Sequence, residues 1–215
     1  MTLNTARLAS PSIYTDPCLN EAIAAAPPCE KSRAAVYVLA VAILASAMAF
    51  IDGTVVNVAL PIIQRDLGAG AAGLQWIVES YALLLAALLI TAGAMGDRFG
   101  RRLVFVTGVA IFAAASLWCG LSSGETELII ARAVQGAGAA LLVPGSLALI
   151  GAHFPRADRG RAIGTWSAVT ALTMAFGPVL GGWLAETFSW RWIFFINLPF
   201  WAVAARKRAK GEAVA

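Results

Sequence analysis

The chain has 215 residues, of which 16 are Lys or Arg and 12 are Asp or Glu, for a net charge of +4, and 60% of it is apolar. Soluble domains stay near half apolar, and with a mean hydropathy of +0.77 this length leaves no room for a separate soluble domain beside a membrane bundle. The composition therefore excludes an ordinary soluble enzyme or nucleic-acid-binding module and points to a protein that lives in lipid.

Residues 1–35 are of mixed polarity and contain proline, without the compact order of a cleaved signal. They read as a tail. Six apolar runs follow, at 36–63, 74–92, 103–121, 128–152, 162–185 and 192–205. A span needs roughly 20 apolar residues to cross about 30 Å of hydrocarbon, and backbone in lipid must bond internally, so these runs predict helices. The last run is short, and it predicts a shortened sixth helix. The expected organisation is a cytoplasmic tail over 1–35, a six-helix bundle over 36–205 and a basic cytoplasmic tail over 206–215.

Basic residues set the orientation. Arg7, Lys31 and Arg33 precede the first run, and Arg98, Arg101 and Arg102 lie between the second and third. Arg156, Arg159 and Arg161 lie between the fourth and fifth, and Arg206, Lys207, Arg208 and Lys210 follow the sixth. These thirteen of the sixteen basic residues fall on one side, which predicts both termini in the cytoplasm and accounts for the net charge without a nucleic-acid partner. Trp76, Trp118, Trp183, Trp190 and Trp192 fall at the opposite ends of the runs, as an interfacial belt. Cys18, Cys29 and Cys119 have neither disulfide nor metal-ligand spacing, so no cofactor or metal is expected.

Charge inside a span costs at least a few kcal/mol, so it marks function. Asp52 follows sixteen uncharged residues, which puts it roughly 24 Å into the first helix. Low dielectric disfavours the charged form of a carboxylate, so Asp52 is a candidate for loading and unloading a proton; the alternative is a fixed partner for a cation on another helix. Arg132 lies about four residues into the fourth run at a similar depth. It cannot lose its proton, so it would modulate a neighbouring carboxylate or hold backbone carbonyls. Glu79, one turn into the second run, is either a second titratable group near the same cavity or a side chain reaching the interface. Phe176-Gly177-Pro178-Val-Leu-Gly181-Gly182 combines a lost backbone donor with close-packing glycines, a bending point or a packing groove. Between runs two and three, Gly93-Ala-Met-Gly96-Asp97-Arg98-Phe-Gly100-Arg101-Arg102 reads as a tight charged loop. There Asp97 can accept from backbone N–H groups or from Arg101 or Arg102, and Gly93 and Gly96 admit another helix end, which makes the loop a candidate bistable latch; the alternative is topology alone, with the arginines holding the loop inside. The sole histidine, His153, ends the fourth run beside Phe154-Pro155, and no nucleophile–base arrangement accompanies it, so the chain does not read as an enzyme.

Five of these segments, in order, resemble the major facilitator superfamily, specifically its fourteen-span drug:proton antiporter branch. Gly93-x-x-Gly96-Asp97-Arg98-x-Gly100-Arg101-Arg102 is similar to the loop 2–3 signature, with Met95 where Leu is usual. Asp52-Gly-Thr54-Val-Val-Asn57-Val-Ala-Leu-Pro61 is similar to the first-span motif of that branch. Arg132-x2-Gln135-Gly136-x-Gly138-Ala139-Ala140 resembles the fourth-span motif, and Gly177-Pro178-x2-Gly181-Gly182 resembles the core of the antiporter motif. Trp190-Arg191-Trp192-x-Phe194-x-Ile196-Asn197-x-Pro199 resembles the entry to span six. Thr173 replaces a glycine of the longer antiporter motif, and Glu79 replaces a neutral residue.

The resemblance implies export of small hydrophobic or cationic compounds in exchange for protons by alternating access. Asp52 would couple protons, Arg132 would tune it and 177–182 would form the hinge. Asp97 with Arg101 would gate from the cytoplasmic side. Relatives of this branch have over twice as many residues and two packed bundles, so the expectation is an N-terminal half in the cell membrane. A second half would come from homodimerisation or another chain. The alternatives are an inactive truncated remnant and a membrane protein that pairs with full-length relatives.

Overall fold

The computed structural model describes residues 33–199, and its elements are all helical. They are α1, Arg33–Leu67; α2, Ala71–Phe99; α3, Arg101–Leu121; α4, Glu125–His153; α5, Arg156–Thr187; and α6, Trp192–Phe195. Five of these are long and apolar enough to cross a membrane. Six were expected. The sixth run begins with the turn α6, passes through turn residues Ile196 and Asn197 and is helical again at 198–199, and its remainder, 200–205, lies outside the described residues. The two tails, with Cys18, Cys29, Arg7 and Lys31, lie outside them as well.

Short connections fold the long helices back and forth. Gly68 ends α1 at φ +63°, and the Ala69 N–H returns to the Gln64 carbonyl at 3.2 Å, the pattern of a glycine-terminated helix. Pro155 opens α5, where its missing N–H removes no helical bond. Asp66, Gly70, Ser122, Glu125 and Arg191 meet at one end of the bundle, whereas Arg101 meets the Ala148 carbonyl at the other. We call these the clasp end and the basic end.

The expected loop at 93–102 is almost entirely helical. Residues 93–99 continue α2, Arg101 and Arg102 begin α3, and Gly100 alone joins them at φ +94°. That backbone is open chiefly to glycine, which lets the chain reverse without a longer loop.

α4 packs along both α2 and α3, while α1 packs along α5 and, less extensively, α4. Small residues set the spacing. A Cβ on Gly138 would meet the Phe112 backbone nitrogen at 2.7 Å, and one on Gly136 would collide with the Tyr81 carbonyl. Close backbone approach of this kind is how helices associate in lipid, where apolar burial drives little.

Two apolar clusters result. One, toward the clasp end, holds Val55, Ile63, Ile77, Leu128, Trp190 and Phe194; the other holds Val38, Met48, Tyr81, Phe105, Phe112 and Leu142. Trp190 corrects the expected belt. Trp76, Trp118, Trp183 and Trp192 are exposed, but Trp190 is buried, and its Nε1 donates to Asp66 Oδ2 at 2.8 Å. A buried indole needs a partner for its N–H, and Asp66 supplies it here.

Candidate functional site

Between the two apolar clusters lies a buried polar layer. On α1, residues 49 and 55 belong to the clusters and Asp52 lies between them; on α3, Phe112 and Cys119 flank Ser116; on α4, Ala131 and Ala139 flank Arg132 and Gln135. All four polar side chains are buried. The helical repeat brings this about, because Asp52, Ser116, Arg132 and Gln135 point toward the same axis from three helices.

Arg132 Nη1 donates to Asp52 Oδ2 in a close ion pair. The same nitrogen donates to Gln135 Oε1 at 2.8 Å, and Nε donates to the Ile77 carbonyl at 3.2 Å. The guanidinium also lies 4.2 Å from the Tyr81 ring centroid, a cation–π contact. The Tyr81 hydroxyl in turn donates to the Ala49 carbonyl at 2.9 Å. The second carboxylate oxygen, Asp52 Oδ1, accepts from Gln135 Nε2 at 2.8 Å and from Asn197 Nδ2 at 3.2 Å. Ser116 Oγ accepts from the same two amides, at 2.9 and 3.4 Å, and donates to the Phe112 carbonyl at 2.8 Å. Cys119 Sγ donates to Gln135 Oε1 at 3.5 Å.

The layer thus pairs its two opposite charges and gives both Asp52 oxygens hydrogen-bond donors, which is what allows a carboxylate and a guanidinium to sit in an apolar interior. It is also responsive. Three donor groups converge on one carboxylate, so a proton or a cation arriving at Asp52 weakens its acceptance from them. No group of His, Cys, Asp and Glu suited to a metal ion occurs among the described residues.

Other predicted residues lie elsewhere. Glu79 is exposed on α2 and accepts from Gln75 Nε2 at 2.7 Å. The inward positions of that turn are Ile77, Ser80 and Tyr81, which leaves residue 79 on the outer face, away from Asp52.

At the basic end Arg101 Nη2 pairs with Asp97 Oδ1 at 3.2 Å, and its Nη1 reaches the Ala148 carbonyl at 3.4 Å. Arg98 and Arg102 are exposed. Gly96 is buried, yet a Cβ there would touch only Arg101 Cγ at 3.9 Å, and one on Gly93 would meet nothing within 4 Å. The close approach expected at Gly93 is not made by any described residue.

On α5, Gly177 faces Thr54 and Gly181 faces Val55, whose Cβ a methyl at Gly181 would meet at 3.1 Å. Gly182 lies over Val58. Pro178 is exposed, and α5 runs through it as one helix. These residues form the α1–α5 contact two to six residues from Asp52, but none touches the polar layer.

In the sequence Gln135 and Asn197 stand out only as members of longer motifs, and nothing singles out Ser116 or Tyr81. The spacing Arg132-x2-Gln135 carried one signal, since residues three apart share a helix face. Ser116 gave none, being a single small hydroxyl in an apolar run.

Residues 42–206 match a family model described as Major Facilitator Superfamily. Among curated relatives, "Multidrug resistance protein Stp" of Mycobacterium tuberculosis (strain CDC 1551 / Oshkosh) is 45% identical over 157 residues, 73% of this chain and 29% of that protein. "Tetracenomycin C resistance and export protein" of Streptomyces glaucescens is 45% identical over 152 residues, 71% of this chain and 28% of that protein. The chain thus spans under a third of the length of these relatives. Among solved structures, a bacterial homologue of the human lysosomal transporter Spinster, inward-facing and unoccupied, superposes with a TM-score of 0.64 at 23% identity. That match covers 81% of this chain and 42% of that one.

Proposed function

The chain belongs to the major facilitator superfamily, and we propose that it supplies one six-helix half of a proton-coupled exporter of small hydrophobic or cationic compounds. The observation that carries this reading is the buried Asp52–Arg132 pair inside a membrane-length bundle. An ionisable pair at that depth is costly and marks an ion or substrate pathway. In this reading Asp52 exchanges a proton against substrate, Arg132 tunes it, and Glu79 contributes from the lipid-facing side of α2 only if the bundle rearranges. The names of the relatives favour drugs and antibiotics as the substrate class.

The substrate path of such a transporter lies between two halves, so a second bundle completes it. The open face at Gly93 and Gly96 fits an opposing helix end. Asp97, Arg98, Gly100, Arg101 and Arg102 then form a gate, and Gly177, Pro178, Gly181 and Gly182 a hinge against α1. We place the chain in the cell membrane with the basic end in the cytoplasm, on the one-sided distribution of its basic residues. No enzymatic role enters this reading.

The test is accumulation of a fluorescent cationic dye in an efflux-deficient bacterium expressing this chain, beside an Asp52→Asn control. Reduced accumulation that depends on Asp52 is expected. Unchanged accumulation, with the protein verified in the membrane, would overturn the half-transporter reading. Export that survives Asp52→Asn would overturn the proton assignment alone.

A further inference from the structure

Residues 190–197 touch α1 at two carboxylates. At the clasp end Trp190 Nε1 and Arg191 Nη1 both donate to Asp66 Oδ2 at 2.8 Å, and Arg191 Nη2 reaches across to the Ser122 carbonyl at 3.2 Å. The Arg191 guanidinium lies 4.5 Å from the Trp190 ring centroid. Seven residues after Trp190, Asn197 Nδ2 donates to Asp52 Oδ1 inside the polar layer. Asp66 and Asp52 are fourteen residues apart on α1, about 21 Å along its axis.

The segment between these contacts is stiff. Consecutive backbone bonds run through it, from Ile193 N to the Trp190 carbonyl through Phe194, Phe195 and Ile196 to Asn197 N on the Phe194 carbonyl. Trp190 and Phe194 pack edge to face with centroids 6.1 Å apart, both buried. Phe195 closes over Gly120, where no Cβ fits. A segment bonded at every step shifts as one body rather than bending between its ends.

We propose that 190–197 is a coupling strap in which Asn197 is a positioning residue that reads the state of Asp52, and Trp190 with Arg191 passes that state to the clasp over Ser122. The chemistry is directional. The Asn197 side-chain nitrogen is a donor only. When Asp52 gains a proton or a substrate cation, its oxygens accept less well, and the remaining acceptor, Ser116 Oγ, stands at 3.4 Å and already serves Gln135. A buried donor left without a full partner is costly, so the strap slackens. Its other end is held at half-exposed groups that yield first. Loss of the clasp then uncovers Ser122, which is buried while the clasp is closed. The proposal deepens the reading of Asp52 as the group whose charge changes, and rests on it.

The experiment uses a Ser122→Cys reporter in the full chain with its three native cysteines replaced, and a polar maleimide in unsealed membranes. Asn197→Ala, which leaves the Asp52–Arg132 pair intact, should raise the labelling rate about tenfold or more, the scale of losing one charge-assisted hydrogen bond. Asp52→Asn should raise it similarly, and the double variant no further. Asp66→Asn opens the clasp directly and sets the upper rate. Leu121→Cys, 65% exposed, should label equally in every background and reports an intact, inserted chain. Should Asp52→Asn fail to insert, Asn197→Ala alone decides. Labelling of Asn197→Ala at the parent rate would overturn the strap, as would effects that multiply in the double variant, the signature of two independent structural losses. Labelling needs no transport. Dye export with flat labelling would sink the strap alone, and a responsive clasp without export would sink the half-transporter alone.

Discussion

Asp52–Arg132 and Asp97–Arg101 are the same chemical pair in opposite surroundings. In the first both side chains are at most 1% exposed; in the second the arginine is 47% and the aspartate 73% exposed. Around Asp52, both carboxylate oxygens are matched by named donors, from Arg132 and Gln135 on α4 and Asn197 on the strap. Around Asp97 water replaces any partner that leaves. Burial therefore converts an ordinary ion pair into an element that cannot lose one member without stranding the other. Asp66–Arg191, 46% and 33% exposed, stands between them. These three pairs form a series in which the cost of disruption should fall with exposure.

The largest effect belongs to Arg132→Ala. Removing one partner of a buried pair leaves an uncompensated charge and costs about 3–5 kcal/mol, and Arg132 is also the donor to the Ile77 carbonyl and the cation over Tyr81. The expected outcome is a large drop in the thermal midpoint of the detergent-solubilised chain, or failure to accumulate in membranes. Arg132→Lys should recover part of it, since lysine supplies charge without the planar fork. Near-native stability of Arg132→Ala would mean that water already reaches the pair. Ser116→Ala should cost less, about 1–2 kcal/mol, because Gln135 and Asn197 each retain Asp52 as an acceptor. Arg191→Ala, at the half-exposed clasp, should cost about 1 kcal/mol, with its loss reduced further in high salt.

The ends of this series were unequally legible. Asp52 and Arg132 stand out because a charge in an apolar run is conspicuous, and counting residues from each end of a helix puts them at matching depth. Rotation about the helix axis is harder to read. In a helix wetted by lipid there is no polar face to set phase, so the sequence leaves open whether Glu79 faces the cavity, and only packing against α4, which turns Ile77, Ser80 and Tyr81 inward, decides it. Trp190 was misassigned for a related reason, since an indole at a span end fits a belt until a carboxylate is found at its nitrogen. Hydropathy also drew the second helix too short. The charges of Asp97 and Arg98 end an apolar run but not a helix, which continues until Gly100 supplies a backbone other residues avoid. Asn197 gained its meaning only from folding, which brings a residue 145 positions away onto Asp52.

Arg101→Ala is expected to have the smallest effect on stability and is the sharpest use of the comparison. The pair is an i,i+4 contact on the surface, and such pairs contribute well under about 1 kcal/mol. Its second bond, to the Ala148 carbonyl, is long at 3.4 Å. The thermal midpoint should therefore be unchanged within error, at low and at high salt. Dye export should still fall if Arg101 acts as a gate, because a gate requires a difference between two conformations and not a deep minimum in one. A weak pair suits that role better than a strong one, since a bond of several kcal/mol at the basic end would hold the bundle closed. Lost export at unchanged stability would separate the two arginine pairs by function as cleanly as burial separates them by energy. Lost stability would instead mean that Arg101 is structural and that the gate lies elsewhere.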